Sequence, residues 1–307
     1  MPPSPGVKIA VGPESSPDWV REAVVRGGGQ LCEMSDARGL VWSAPYAPVE
    51  LAEVLERHPQ VEWVQVPFAG VEGYIHLVDE DRVWTCGKGV YAEPVAEHAL
   101  GLLLAGMRNI GVYAQTHEWS GPVGRNLLGA NVTILGAGGI TTSLVRLLSP
   151  FGCRITVVRN MPNHFEGVHE VLTSERLVDG LVGADAVVVA LPLTPDTDGI
   201  LSRAEFEIME SHAWLVNVGR GRHIVTDDLV WALANGEIAG AALDVTDPEP
   251  LPENHPLWSF TNCIITPHVG NTPDMAVPLL SERIMRNVAN FVSGDPLIGL
   301  IHPELGY

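Results

Sequence analysis

Positive charge is what this sequence most conspicuously lacks. Its 307 residues hold 18 Lys and Arg against 37 Asp and Glu, a formal net charge of −19. Lys8 and Lys88 are the only lysines. A surface that acidic repels phosphate backbones and anionic lipid, so neither nucleic acid nor a membrane surface is expected as a partner. A small anionic substrate is compatible only with a site that concentrates its own positive charge. Cysteine is also sparse. Cys32, Cys86, Cys153 and Cys263 are widely scattered, with no CxxC and no metal-ligand spacing. They read as reduced, mostly buried thiols of a cytoplasmic protein. The 11 histidines show no paired ligand spacing either, so no metal is expected. No run approaches the ~20 apolar residues of a membrane span. The opening MPPSPGVKIAVG has neither the basic region nor the apolar core of a secretory leader.

What the chain does have is apolar content, 46% against 18% charged. At ~150 residues per domain, about two domains are expected. Short β-branched runs alternate with amphipathic segments from end to end, the pattern of βαβ units and parallel sheets. In the first hundred residues, strands are predicted at Val7–Val11, Gly39–Ser43, Val61–Val66 and Arg82–Cys86, with helices at Asp18–Arg26 and Pro48–His58. Helical spacing of apolar residues predicts one long helix from Glu93 to Gln115. A second series follows, with strands at Val132–Leu135, Arg154–Val158, Asp185–Leu191, Ala213–Val218, Ala241–Val245 and Cys263–Thr266. A final helix over Thr272–Ser293 has no strand after it and is free to pack back on the first domain.

The strand at Val132 runs into Gly136-Ala-Gly138-Gly139-Ile140-Thr141 and then an amphipathic stretch. Gly136 permits a tight strand-to-helix turn, and Gly138 lets backbone approach a pyrophosphate at the helix start. The third glycine of that dinucleotide fingerprint is replaced by Thr141. The next strand ends in Arg159-Asn160, where an acid would accept bonds from ribose hydroxyls. A guanidinium cannot accept them but can pair with a 2′-phosphate, which favours NADP(H) and leaves NAD(H) possible. Polar segments follow other strands of this series: Leu191-Pro192-Leu-Thr-Pro-Asp-Thr197, Asn217-Val218-Gly219-Arg220-Gly, Asp244 to Pro250, and Thr266-Pro-His268-Val-Gly270. In a doubly wound sheet the carboxyl ends of strands face the ligand crevice.

With Ala92-Glu-Pro-Val-Ala-Glu97-His98-Ala99, these segments stand in the order found in the D-isomer-specific 2-hydroxyacid dehydrogenases, which the chain resembles over nearly its whole length. The resemblance implies an α/β fold, a Rossmann dinucleotide-binding domain (94–279) inserted into a flavodoxin-like parallel-sheet substrate domain (1–93 and 280–307). It assigns Arg220, Glu249 and His268 to catalysis, as carboxylate-binding arginine, acid partner and catalytic histidine. It places Asp244 near the nicotinamide carboxamide. Leu191, Pro192, Thr197, Val218, Gly219, Arg220, His268 and Gly270 join Gly136, Gly138, Gly139, Ile140, Arg159 and Asn160 at the cofactor. The Phe68-Ala69-Gly70-Val71 turn holds the substrate carboxylate, although Glu72 stands where Asp is usual. His98 reads as a structural residue of its helix. Tyr91 and Trp119 fit a pocket wall and a domain filling equally. The resemblance implies reduction of a small 2-oxo acid, of the glyoxylate or hydroxypyruvate type, to a D-2-hydroxy acid by a homodimer. The alternative is a nucleotide-sensing, corepressor-like binding protein on the same fold.

Overall fold

Two separate parallel sheets account for the alternation in the sequence. The computed structural model describes residues 6–306. Residues 1–5 and Tyr307 lie outside it, and with them the outermost part of the substrate-domain assignment and the start of the leader reading. The chain divides into two units, Met1–Tyr91 with Thr272–Tyr307, and Ala92–Asn271.

In the first unit the chain runs β1 (Lys8–Gly12), α1 (Asp18–Arg26), β2 (Gln30–Leu31), β3 (Gly39–Trp42), α2 (Pro48–Arg57), β4 (Trp63–Gln65) and β5 (Val83–Thr85). The sheet order is β2-β1-β3-β4-β5, all parallel, as in flavodoxin-like folds. Every residue of β3 and β4 is buried. That is why these strands read as continuous apolar runs rather than alternating ones.

The second unit contains α3 (Ala92–Met107), α4 (Ile110–Gln115), β6 (Asn131–Leu135), α5 (Gly139–Leu148), β7 (Arg154–Arg159), β8 (Glu170–Thr173), α6 (Leu177–Leu181), β9 (Ala186–Val189), α7 (Arg203–Ile208), β10 (Trp214–Asn217), α8 (Thr226–Asn235), β11 (Gly240–Leu243) and β12 (Cys263–Ile265). Its parallel strands lie in the order β12-β11-β10-β9-β6-β7-β8. The order reverses between β6 and β9, the switch point where doubly wound sheets bind ligands. One apolar layer joins Leu103 of α3 and Leu144 and Leu148 of α5 to the sheet. The other brings Leu181 of α6, Phe206 of α7 and Leu229 of α8 to the opposite face.

The chain then returns to the first unit as α9 (Pro273–Ser293). Leu280, Ile284 and Val288 of α9 share a core with Ile9, Val20, Val24 and Trp63. Boundaries drawn from sequence at 93/94 and 279/280 therefore differ from the observed division at 91/92 and 271/272. The reason is that α9 is a continuous 21-residue helix whose N-terminal turns go with the rest of it. The single helix expected over Glu93–Gln115 is two helices. Asn109 adopts a left-handed backbone (φ 56°) and ends the first. β2 and β8 were not expected from the sequence.

Candidate active site

The site is built from turns at the carboxyl edge of the seven-stranded sheet. Beyond β6, Gly136 has φ 109°, and a Cβ there would stand 2.5 Å from the Ala190 carbonyl oxygen beyond β9. Only glycine lets the chain turn at that point. Gly138 caps α5, and a side chain there would meet nothing within 4 Å. Gly139 and Ile140 begin that ten-residue helix, and a helix start with open space beside its cap suits a pyrophosphate. Thr141 is fully buried and its hydroxyl donates to the Gly136 carbonyl at 2.9 Å. The residue in the third-glycine position thus fastens the turn from within. Gly136 N–H donates to the Val158 carbonyl at 2.9 Å, which sets Arg159 and Asn160 beside the turn. Neither Arg159 nor Asn160 has an acidic partner among the described residues.

Beyond β9, Leu191 and Pro192 lead into a loop closed by Thr197, whose hydroxyl donates to the Pro192 carbonyl at 2.7 Å. Beyond β10, the turn from Val218 through Gly219 to Arg220 is held by two buried side chains. Asn217 accepts from Gly219 N–H (3.0 Å) and donates to the Arg220 carbonyl (2.8 Å). His223 Nδ1 accepts from Arg220 N–H at 3.0 Å. The Arg220 guanidinium donates to the Gly219 carbonyl at 2.8 Å. A Cβ at Gly221 would lie 2.0 Å from the Thr246 backbone, so this arginine turn and the acidic loop beyond β11 run in direct backbone contact.

That acidic loop meets the segment beyond β12. His268 Nδ1 lies 2.6 Å from Glu249 Oε1, and both side chains are nearly half exposed (47% and 42%). His268 Nε2 makes no hydrogen bond among the described residues. His268 has φ 53°, a left-handed backbone that costs a non-glycine residue about 1–3 kcal/mol and persists only where its surroundings impose it. Asp244 supplies that constraint. Its carbonyl accepts His268 N–H (2.8 Å), Oδ1 accepts Val269 N–H (2.9 Å) and Oδ2 accepts Gly270 N–H (2.9 Å). Thr266 Oγ1 donates to Oδ1 at 2.6 Å, and His98 Nε2 lies 3.2 Å from the same oxygen. Burial pushes the Asp244 carboxyl up, but these donors outweigh it and hold the pKa at about 2.

In the first unit, the Phe68 to Val71 turn lies just beyond β4, its Phe68 carbonyl accepting from Gly87 N–H at 2.8 Å. The N–H groups of Ala69, Gly70 and Val71 donate to no group among the described residues. Tyr91 donates to the Pro67 carbonyl at 3.0 Å and so braces that turn. Trp119, in the second unit, is fully exposed.

Residues 100–270 match the family described as D-isomer specific 2-hydroxyacid dehydrogenase, NAD binding domain. The chain belongs to the D-isomer-specific 2-hydroxyacid dehydrogenases. It is 38% identical over 297 residues to an uncharacterized protein of Corynebacterium melassecola, covering 93% of this chain and 95% of that one. It is 30% identical over 284 residues to a glyoxylate/hydroxypyruvate reductase A of Serratia proteamaculans, covering 87% of each. A solved NADPH-dependent glyoxylate/hydroxypyruvate reductase from Sinorhizobium meliloti, in complex with NADP and sulfate, superposes with a TM-score of 0.82. Identity is 26%, over 98% of this chain and all of that one.

As a member of this family the protein is a nicotinamide-dependent oxidoreductase acting on small 2-oxo or 2-hydroxy acids. Sequence reasoning located most residues of this dehydrogenase's turns, but it named Asn217 without a role and passed over His223, and these two shape the Arg220 turn. It also placed His98 within its own helix, whereas the ring reaches Asp244 and Thr266. The only signals were an Asn directly before the turn and a His three residues after Arg220, spacings that match local side-chain to backbone bonds.

Proposed function

We propose that this dehydrogenase is an NADPH-favouring reductase of a small 2-oxo acid, with glyoxylate or hydroxypyruvate as substrate and the D-2-hydroxy acid as product. The observation that carries this reading is the His268–Glu249 pair. A carboxylate on Nδ1 keeps a proton there, so the proton that moves is the one on Nε2, which is left without a partner. In reduction, His268 gives its Nε2 proton to the carbonyl oxygen of the substrate. Glu249 orients the ring and balances its positive charge. In oxidation the neutral ring takes the proton back. When bound, the nicotinamide supplies the hydride. The planar fork of Arg220 pairs with the substrate carboxylate, in a chain otherwise short of cations. The bare amides of Ala69, Gly70 and Val71 are suited to a carboxylate oxygen.

For the cofactor, Gly136, Gly138, Gly139 and Ile140 leave room and N–H groups for the pyrophosphate, and Arg159 with Asn160 meets the 2′-phosphate. Leu191, Pro192, Thr197, Val218 and Gly219 belong to turns on the same sheet edge. Asp244 Oδ2, which among the described residues accepts the Gly270 amide alone, keeps a lone pair for the carboxamide. The NADP bound by the Sinorhizobium meliloti relative supports the cofactor choice. A cytoplasmic homodimer completes the reading. Ile110, Trp119, Val123 and Leu128, on and after α4, are exposed apolar residues that a second copy would cover.

The test is to titrate the purified protein with NADPH and NADH, then follow nicotinamide absorbance with glyoxylate, hydroxypyruvate, pyruvate and bulkier 2-oxo acids. Faster oxidation of NADPH with the two small acids is expected. Tight nucleotide binding without turnover across the panel would move the protein to the nucleotide-sensing class. Arg159→Asp should weaken NADPH binding by at least tenfold and improve NADH binding; unchanged affinities for both would make Arg159 a bystander.

A further inference from the structure

We propose that His98, which touches neither substrate nor cofactor in the reading above, is a positioning residue for His268. The proposal rests on His268 being the proton donor. Its basis is the wiring of one cluster of side chains around the buried Asp244 carboxylate. Thr266 has a single hydroxyl proton and donates it to Asp244 Oδ1 at 2.6 Å. The Thr266 oxygen, 3.0 Å from His98 Nε2, can therefore only accept from that ring. His98 Nε2 thus carries a hydrogen, shared between the Thr266 hydroxyl and the Asp244 carboxylate 3.2 Å away.

Asp244 passes this constraint on. Three successive amides, of His268, Val269 and Gly270, wrap around its carbonyl and its two carboxylate oxygens. They form the arc in which His268 adopts its left-handed backbone. All of these bonds come from the segments beyond β11 and β12 except the one from His98, which reaches in from α3. The same helix packs over the arc. A Cβ on Gly270 would stand 3.0 Å from Asp244 Oδ2, 3.5 Å from Val95 Cγ2 and 3.7 Å from His98 Cδ2. His98 is therefore the side chain that ties the carboxylate organising the catalytic turn to the helix behind it. Without its N–H, Thr266 loses its donor and the carboxylate can rotate. The arc then loses the restraint that holds His268 out of the ordinary helical or extended regions. Hydrogen-bond partners that orient metal-ligating histidines typically change affinity or activity by 10–100-fold when removed, and an effect of that size is expected for the partner that orients this turn.

The experiment compares His98→Ala, His98→Gln and Thr266→Val in the full chain. It reads kcat, KM for the best 2-oxo acid, NADPH Kd by fluorescence titration, and thermal midpoint. His98→Ala should lower kcat by about 10–100-fold with KM and Kd within about threefold. His98→Gln, whose amide N–H can take the place of Nε2–H, should recover most of that loss. The double variant His98→Ala/Thr266→Val should lose little more than the worse single variant, because both break one network. An unchanged kcat in His98→Ala, equal losses in the Ala and Gln variants, or additive losses in the double variant would each overturn the proposal. Nitrogen-15 NMR separates it from the reading of His268. His98 should be the Nε2–H form, and His98→Ala should shift the His268 ring signals whether or not any 2-oxo acid is turned over. Unmoved His268 signals would overturn the positioning role. Shifted signals in a protein without turnover would uphold it and overturn the reductase reading alone.

Discussion

Two histidine–carboxylate pairs meet where the His268 amide donates to the Asp244 carbonyl, and they do opposite work. In the His268–Glu249 pair both side chains are nearly half exposed, and among the described residues the carboxylate has a single hydrogen-bond partner and one ring nitrogen is unclaimed. In the His98–Asp244 pair the carboxylate is only 4% exposed and three further bonds surround it among the described residues, one from the Thr266 hydroxyl and two from the Val269 and Gly270 amides. The chemistry of the partners is the same in both. What differs is the number of other donors that the acid must satisfy. An acid with one partner and solvent nearby can follow a proton in and out of the ring it holds. An acid held by several donors at once, as Asp244 is by His98, Thr266 and two amides, stays ionised and becomes part of the scaffold for as long as those donors are in place. Reading a site by its residue types alone would merge these two pairs; counting their remaining bonds separates them.

Three measurements would break or sharpen this contrast. The largest effect belongs to His268→Asn, which keeps polar bulk but removes the transferable proton. Its kcat should fall by about 10³-fold while NADPH Kd stays within threefold, since general acid–base groups contribute 10²–10⁴. A fall of less than tenfold would show that the exposed pair is not the proton donor. Glu249→Gln should cost less, about 10²-fold in kcat, because the amide oxygen can still accept the Nδ1 hydrogen of His268 while the charge is lost, the low end of the 10²–10⁴ that general acid–base groups contribute. The smallest effect is on stability rather than rate. The Asp244 carboxyl is held at about 2 from an ordinary 3.8. A lowered folded-state value stabilises the protein above pH 3.8, and that stability is lost as the pH falls towards 2. Its size is on the order of 2 kcal/mol. Denaturant unfolding between pH 2 and 6 should therefore show a steeper acid limb in the wild type than in Asp244→Asn, and equal limbs would remove Asp244 from the scaffold role.

The architecture was legible because both sheets are parallel and buried, so their strands are apolar runs between amphipathic helices. Turns at strand ends were legible too, since Gly136, Arg220 and His268 sit in short segments with strong local signatures. What escaped was set by distance or by single backbone choices. The two-residue β2 is too short to carry a pattern. The break between α3 and α4 hangs on the φ of Asn109, in a stretch whose side-chain spacing stays helical. The role of His98 depends on residues 146 and 168 positions away, and no local spacing encodes that. The site's main residues could be read from sequence, but the bonds that hold them in place could not.

The late return of α9 to the first unit sets an order of events at the ribosome. Leu280, Ile284 and Val288 fill the same core as Ile9, Val20 and Trp63, so the first sheet lacks one wall until they emerge. At roughly 5–20 residues per second, translating the 180 residues of Ala92–Asn271 takes about 10–40 s, ample time for a doubly wound domain to close on itself. The inserted unit can thus be native while the strands made before it still wait for their last helix. During that interval the segment bearing Ile9, Val41 and Trp63 exposes the apolar face that α9 later covers, and transiently exposed apolar surface of this kind is prone to aggregation.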